Sequence, residues 1–294
     1  MFNKKKYKYC AYLKEIDIMV YSLHNYHLYN LCYLFLGFFI FPSIQAYNAH
    51  YLICPGFATS SNDYYFMKQC IENNGHSSSI LDVNRDEWIK NTPLIPKKKI
   101  ISQRCTPTDL YGWYLDKLEE NVIDIISNSN IEKKIILVGH SAGGWLARDF
   151  LGNGIFYHEY KPYYVKDYIA GLITLGTPHR KLRGMDNDLA FGCLDYVNRR
   201  YPECFLNDNL FYKTVCGNLN PSYLLKIEQE QLHFVLNRLK MFYKSCELDG
   251  DGVVPVQCAH LKGAEQINLN NVHHMFETPF CHWYGSKDIV DEWI

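Results

Sequence analysis

Ser141 lies between glycines two residues to either side, in Gly139-His140-Ser141-Ala142-Gly143, with Gly144 next. A serine hydroxyl attacks a carbonyl only when it stands clear of its surroundings and within reach of a base. A sharp turn from a strand into a helix presents it that way, and glycine at −2 and +2 admits the close backbone approach such a turn needs. The flanks fit. Ile135-Ile136-Leu137-Val138 reads as a strand buried on both faces, and Trp145 to Leu151 is compatible with a helix. The serine also needs a histidine base and an acid to orient it, in the chain order serine, acid, histidine for this kind of turn. Asp249-Gly250-Asp251-Gly252-Val253-Val254-Pro255 supplies an acid in a Gly-rich turn, and His273-His274 follows. Asp251 is preferred to Asp249 because it directly precedes Gly-Val-Val. Two adjacent histidines leave the choice of base open at this point. A calcium loop is excluded, since its fifth position is Val253 rather than Asp or Asn.

The tetrahedral oxyanion of acyl transfer needs two preorganised backbone donors. One is the amide after the nucleophile, Ala142. The other belongs in the loop after the early strand Tyr51–Cys54, namely Pro55-Gly56-Phe57-Ala58, with Phe57 N–H as the donor and Gly56 allowing close approach. Around these residues the chain alternates helix and strand patterns. Tyr64 to Asn73 has helical spacing, and Ser79 to Val83 reads as a second short strand. Asn91 to Thr108 reads as a loop. Asp109 to Ser127 reads as an amphipathic helix with Asp109 as its N-cap. Tyr168 to Gly176 and Ala264 to Leu269 are further strands, and Asp288 to Ile294 is a final helix. Such alternation implies an α/β fold, a mostly parallel central sheet with helices on both faces. Arg180 to Lys244 is aromatic and poorly periodic, and reads as a cap or lid over the serine. His140 is the variable residue of the turn, and His179, at a strand end, reads as structural.

The chain has 294 residues, 48% hydrophobic and 21% charged, with a formal net charge of −1. That is globular composition, and it points to no nucleic-acid partner. Residues 1–46 read as a separate leader: Lys4, Lys5, Lys6 and Lys8 precede the apolar run Leu31–Phe41, and Ala46 is a candidate small residue before a cleavage point. Met19 is a candidate internal start, and an uncleaved anchor is the alternative to a cleaved signal. Residues 47–294 then form the folded domain, with the lid at about 180–244. Nine of eleven cysteines remain beyond the leader. Cys193, Cys204 and Cys216 fall in one segment and could cross-link it in an oxidising compartment. No spacing suggests a zinc site, so no metal is expected.

With these residues placed, the chain resembles α/β-hydrolase-fold lipases and esterases, particularly an uncharacterised plant and cyanobacterial branch. The blocks that carry the resemblance are Cys-Pro-Gly-Phe (54–57), Val-Asn-Arg-Asp-Glu-Trp (83–88), Trp-Tyr-Leu-Asp-Lys-Leu-Glu-Glu (113–120) and Val-Gly-His-Ser-Ala-Gly-Gly-Trp-Leu-Ala-Arg (138–148). Leu-Gly-Thr-Pro-His (175–179), Gly-Asp-Gly-Val-Val-Pro (250–255), Ala-His-Leu-Lys-Gly-Ala (259–264) and Trp-Tyr-Gly-Ser (283–286) continue it. The resemblance implies a triad of Ser141, Asp251 and His274, its Val-x-His pattern falling on Val272-His273-His274. It implies cleavage of carboxylic esters, lipid acyl esters in particular, through an acyl-enzyme and without a cofactor. A thioesterase or protein depalmitoylase is the alternative within the same chemistry. A non-catalytic relative serving as a binding protein is the alternative outside it. The leader implies the secretory pathway, secreted or membrane-anchored. The plant-like resemblance offers a plastid-type organelle instead.

Overall fold

The computed structural model describes residues 49–91, 102–128, 134–158, 161–181, 190–219, 249–275 and 282–294. The leader, and with it the expectations about processing and anchoring, lies outside the described residues. Among those described, no helix is long and apolar enough to cross a membrane.

The chain opens with β1 (His50–Cys54), followed by α1 (Tyr65–Asn73), β2 (Ser77–Ile80), the one-turn α2 (Glu87–Lys90) and the long α3 (Pro107–Asn128). Next come β3 (Ile135–His140), α4 (Ala142–Asn153), the hairpin of β4 (Ile155–His158) and β5 (Lys161–Tyr164), α5 (Val165–Tyr168) and β6 (Ile169–Leu175). The remaining elements are α6 (Cys193–Arg200), β7 (Phe211–Asn218), α7 (Val256–Ala259), β8 (Glu265–Asn270), the short β9 (Val272–His273) and β10 (His282–Trp283), and α8 (Lys287–Trp293). Six strands form one sheet in the order β2-β1-β3-β6-β7-β8, and every pairing in it is parallel. Parallel neighbours require crossovers, and the helices that make them cover the sheet.

Strand periodicity divides the core in two. Ile135 and Leu137 of β3 face a cluster with Leu110, Tyr114, Leu118 and Val122 of α3, Trp145 and Leu146 of α4, and Val197 of α6. Ile136 and Val138 face the opposite cluster, with Met67 and Ile71 of α1 and Val290 and Trp293 of α8. The sheet is thus buried on both faces, as the apolar run at 135–138 implies. The fold is that of an α/β hydrolase.

Four expectations need correction. The second strand is Ser77–Ile80, so Leu81 and Val83 lie beyond it, both buried, with the Leu81 amide still donating to the Ile53 carbonyl of β1 at 2.9 Å. The long helix begins at Pro107, and Asp109 is its third residue rather than its cap. Thr106 Oγ1 accepts the Asp109 N–H at 3.3 Å while Asp109 Oδ2 accepts the Thr106 N–H at 2.7 Å, a reciprocal capping box. The lid reading fails most clearly at 211–218, which is β7, hydrogen-bonded between β6 and β8. Alternation of half-buried Phe211 and Lys213 with buried Tyr212 and Thr214 is a sheet pattern that polar residues disguised. Likewise α6 packs on α3 and α4 through Cys193, Leu194 and Val197 rather than standing over the serine. Residues 182–189 and 220–248 of the expected lid lie outside the described residues. Cys204 and Cys216 are separate buried thiols rather than cross-links.

Leu210 is 4% exposed and belongs to the α3–α4 core cluster. Leu210→Ala should therefore lower unfolding stability by roughly 2–5 kcal/mol, read from urea midpoints; an unchanged midpoint would remove Leu210 from the core.

Candidate active site

β3 delivers Ser141 at the carboxyl edge of the sheet, where ligands of open parallel sheets bind. Ser141 has φ 52° and ψ −123°, a left-handed-side conformation unfavourable for a side chain. Two close approaches hold the turn. A Cβ on Gly139 would stand 2.3 Å from Gly144 Cα, and one on Gly143 would stand 2.1 Å from the Cys54 carbonyl oxygen. Only glycine fits either place. The Ser141 amide donates to the Leu175 carbonyl at 2.9 Å, tying the turn to the end of β6. Ala142 N–H is the first amide of α4, where no intrahelical acceptor exists.

The Gly56–Phe57 loop lies against this turn. A Cβ on Gly56 would come within 2.8 Å of Ser141 Cβ. The loop is fixed from several sides: Thr59 Oγ1 donates to the Gly56 carbonyl at 2.6 Å, Tyr114 Oη to the Pro55 carbonyl at 2.9 Å, and Trp88 Nε1 to the Thr59 carbonyl at 3.0 Å. Phe57 itself is 51% exposed, with its ring edge-on to Trp88.

Asp251 and His274 meet across the same edge. His274 Nδ1 is 2.7 Å from Asp251 Oδ2, and both side chains are buried. Asp251 Oδ1 accepts the amides of Val253 and Val254 at 2.9 and 2.7 Å, and Tyr284 Oη donates to Oδ2 at 2.7 Å. Burial pushes the Asp251 carboxyl up. The His274 charge and hydrogen bond, the Val254 amide and Tyr284 outweigh that and hold it below the ordinary carboxylate value. The turn closes on itself through Gly250 and Pro255, and the His274 amide donates to the Asp251 carbonyl at 2.9 Å. A Cβ on Gly176 would touch Asp251 Oδ2, Tyr284 Oη and His274 Nδ1 at 2.5, 2.8 and 2.9 Å. Gly176 directly follows Leu175, which carries the Ser141 amide, so the acid–imidazole pair stands beside the serine turn.

The structure therefore gathers Ser141, Ala142, Phe57, Asp251 and His274 at one sheet edge. Asp249 is exposed, whereas Asp251 is fully buried in that pairing. His273 is fully buried, and its Nδ1 accepts the Met275 amide at 3.1 Å. His179 is buried with Nε2 3.0 Å from Thr174 Oγ1, in the structural position expected of it. Tyr284 is the functional neighbour that pattern reading missed. It accepts the Gly217 amide at 2.7 Å while donating to Asp251. Its signal was diluted, because the chain has 24 tyrosines. Among the described residues no group of acidic, histidine or cysteine side chains could hold a metal ion.

A family model described as a PGAP1-like alpha/beta domain matches residues 110–203, which run from within α3 past the serine turn and β6 to beyond α6. No curated protein sequence matches the chain. Among solved structures, a metagenomic carboxyl esterase is similar at 11% identity and TM-score 0.47, over 80% of this chain and 69% of that one. Est1E from Butyrivibrio proteoclasticus, solved with ferulic acid bound, is similar at 13% identity and TM-score 0.42, over 83% and 87%. Polyneuridine aldehyde esterase is similar at 15% identity and TM-score 0.30, over 52% of this chain and 48% of its own, so the chain spans about half of that esterase's length. The fold class rests on the strand order and the serine turn of the chain itself.

The buried imidazoles carry a pH consequence. Burial first, then the nearby His274 charge, pushes His140 down to about 3. Burial pushes His273 down to about 3, with the opposing Asp251 charge too weak to reverse it. Both are neutral when folded and take up protons near pH 6.5 when unfolded. Stability is then full above about pH 6.5 and falls below it by about 1.4 kcal/mol per pH unit for each group. Urea midpoints from pH 7.5 to 5 should fall accordingly. A flat profile over that range would mean that these rings are solvated or paired.

Proposed function

We propose that the protein is a serine hydrolase of carboxylic esters, acting through Ser141, His274 and Asp251. The observation that carries this reading is the buried 2.7 Å His274–Asp251 pair beside a strained serine turn. In the proposed reaction Ser141 Oγ attacks the ester carbonyl and His274 takes its proton. Asp251 keeps the imidazole in the tautomer with hydrogen on Nδ1 and stabilises the imidazolium. The Phe57 and Ala142 amides hold the tetrahedral oxyanion. Collapse breaks the bond to the alcohol, which leaves with the proton from His274. A water, deprotonated by the same imidazole, then releases the acid from the acyl-enzyme. No step needs a cofactor.

The acyl portion is proposed to be apolar, as in a lipid ester. Support comes from Phe57, whose own amide is the proposed oxyanion donor, and Met275, which directly follows the proposed base in sequence; they are 51% and 39% exposed. Such side chains in contact with water favour an apolar partner. Entry into the secretory pathway through residues 1–46 is proposed on the leader pattern alone.

Ser141→Ala should abolish labelling by a fluorophosphonate and reduce ester turnover by about 10⁴-fold or more, with unchanged circular dichroism. His274→Ala should lose turnover on a similar scale, whereas His273→Ala should chiefly lower stability. Undiminished labelling of Ser141→Ala, or a reversal of the two histidine effects, would remove these assignments. Phe57→Ala should impair kcat/KM for an octanoyl ester several-fold more than for an acetyl ester, since a short acyl group forfeits no such contact. Equal losses would sink the apolar-acyl reading.

A further inference from the structure

His140, the variable residue of the Gly-x-Ser-x-Gly turn, occupies a place that composition and spacing gave no reason to notice. Its side chain is 2% exposed. Nε2 is 2.9 Å from the His274 carbonyl oxygen, and Nδ1 is 2.7 Å from Tyr64 Oη. Tyr64 Oη in turn accepts the Gly56 amide at 2.9 Å and stands 3.2 Å from Thr59 Oγ1. We propose, resting on the serine-hydrolase reading, that His140 is a positioning residue, a strut that ties the Gly56–Phe57 loop to the His274 loop across the nucleophile.

The direction of every hydrogen bond follows from chemistry. A carbonyl oxygen only accepts, so His140 Nε2 carries the hydrogen. In the neutral ring Nδ1 then accepts, and Tyr64 must donate to it. That leaves a lone pair of Oη for the Gly56 amide. The chain of donors runs Gly56 N–H to Tyr64, Tyr64 to His140, and His140 to His274 C=O, with no alternative orientation. The strut spans two segments far apart in sequence, 8 residues from Gly56 to Tyr64 but 134 from His140 to His274.

Neutrality matters here. The His140 and His274 rings have centroids 4.8 Å apart. A charge on His140 would oppose the imidazolium that His274 must become in turnover. Burial keeps His140 uncharged, and neither of its two partners is a carboxylate. A lysine or arginine could bridge the same gap only by placing a cation against the base. Rigid hydrogen bonds that set the base and the oxyanion amide together act on the transition state, where small displacements cost most.

The test uses His140→Leu, which removes both bonds, His140→Gln, which retains a donor and an acceptor, Tyr64→Phe, which deletes one oxygen, and the His140→Leu/Tyr64→Phe double variant. Rates are measured on a short soluble ester, and active enzyme is counted by fluorophosphonate titration. His140→Leu and Tyr64→Phe should each lower kcat roughly 10- to 100-fold, with KM changed less than about threefold on the same argument. The double variant should be little worse than His140→Leu alone, because both cut one chain. His140→Gln should recover part of the loss. The low-field proton resonance of the His274–Asp251 hydrogen bond should exchange faster with water in His140→Leu and in Tyr64→Phe. Additive losses, wild-type kcat, or a His140→Gln as impaired as His140→Leu would overturn the strut. If His140→Leu does not fold, Tyr64→Phe decides through its kcat and its proton resonance. A wild-type protein that a fluorophosphonate does not label at Ser141 would overturn the underlying hydrolase reading instead.

Discussion

The arrangement at the carboxyl edge depends on one buried charge. Asp251 is fully enclosed, and an unpaired carboxylate there would cost several kcal/mol. Four donors answer it: two amides of its own turn, the Tyr284 hydroxyl and the His274 imidazole. Three separate constraints place these donors. The amides require the turn that Gly250 and Pro255 close. Tyr284 is held by the Gly217 amide at the end of β7 and by Trp293, whose Nε1 donates to the Tyr284 carbonyl at 2.9 Å. His274 is placed by β9, which pairs in parallel with β10 one residue before Tyr284. To bury the carboxylate, the chain must bring the end of β7, the 251 turn and the segment from β9 to α8 to one point.

The sheet order makes that convergence compatible with the serine turn. β3 is central and β6 and β7 lie to one side of it, so the loops after β3, β6 and β7 open on the same edge. The Phe57 loop enters from β1 on the other side. A parallel sheet places every strand's carboxyl end at that edge, which is why residues 57, 141, 251 and 274 can meet although long stretches of chain separate them.

Much of this could be read from residue types. The serine turn was legible because three demands coincide there: an apolar strand, two glycines and a helix start. Close contacts at Gly139 and Gly143 supply the physical reason for the spacing. Asp251 was legible from its Gly-rich turn, although the choice between His273 and His274 needed a resemblance, since adjacent residues of one type carry no internal distinction. The region after β6 was misread for an equally physical reason. A strand flanked by other parallel strands is recognised by continuous apolar residues, and Phe211-Tyr212-Lys213-Thr214 mixes them with polar ones. Thr214 is nevertheless buried because its hydroxyl finds His260 Nδ1 at 2.8 Å. A tertiary hydrogen bond thereby lets a polar residue occupy a core position, and no local pattern reports such a partner.

The same reasoning separates three buried histidines that look alike in sequence. His140, His273 and His274 are all buried close together, and burial pushes His140 and His273 down to about 3. Among the described residues, His274 is the ring seen within hydrogen-bond distance of the Asp251 carboxylate. His140 meets a hydroxyl and a carbonyl, groups that orient a ring without supporting a charge on it, and His273 Nδ1 accepts the Met275 amide. Neutral His140 and His273 place no charge beside the Asp251-paired ring. Like charges this close would repel in a medium poorer in water than the bulk, so the acid selects a single base among its neighbours. In the proposed mechanism that selection is what lets His274 gain and lose a proton during turnover while the rings around it hold still.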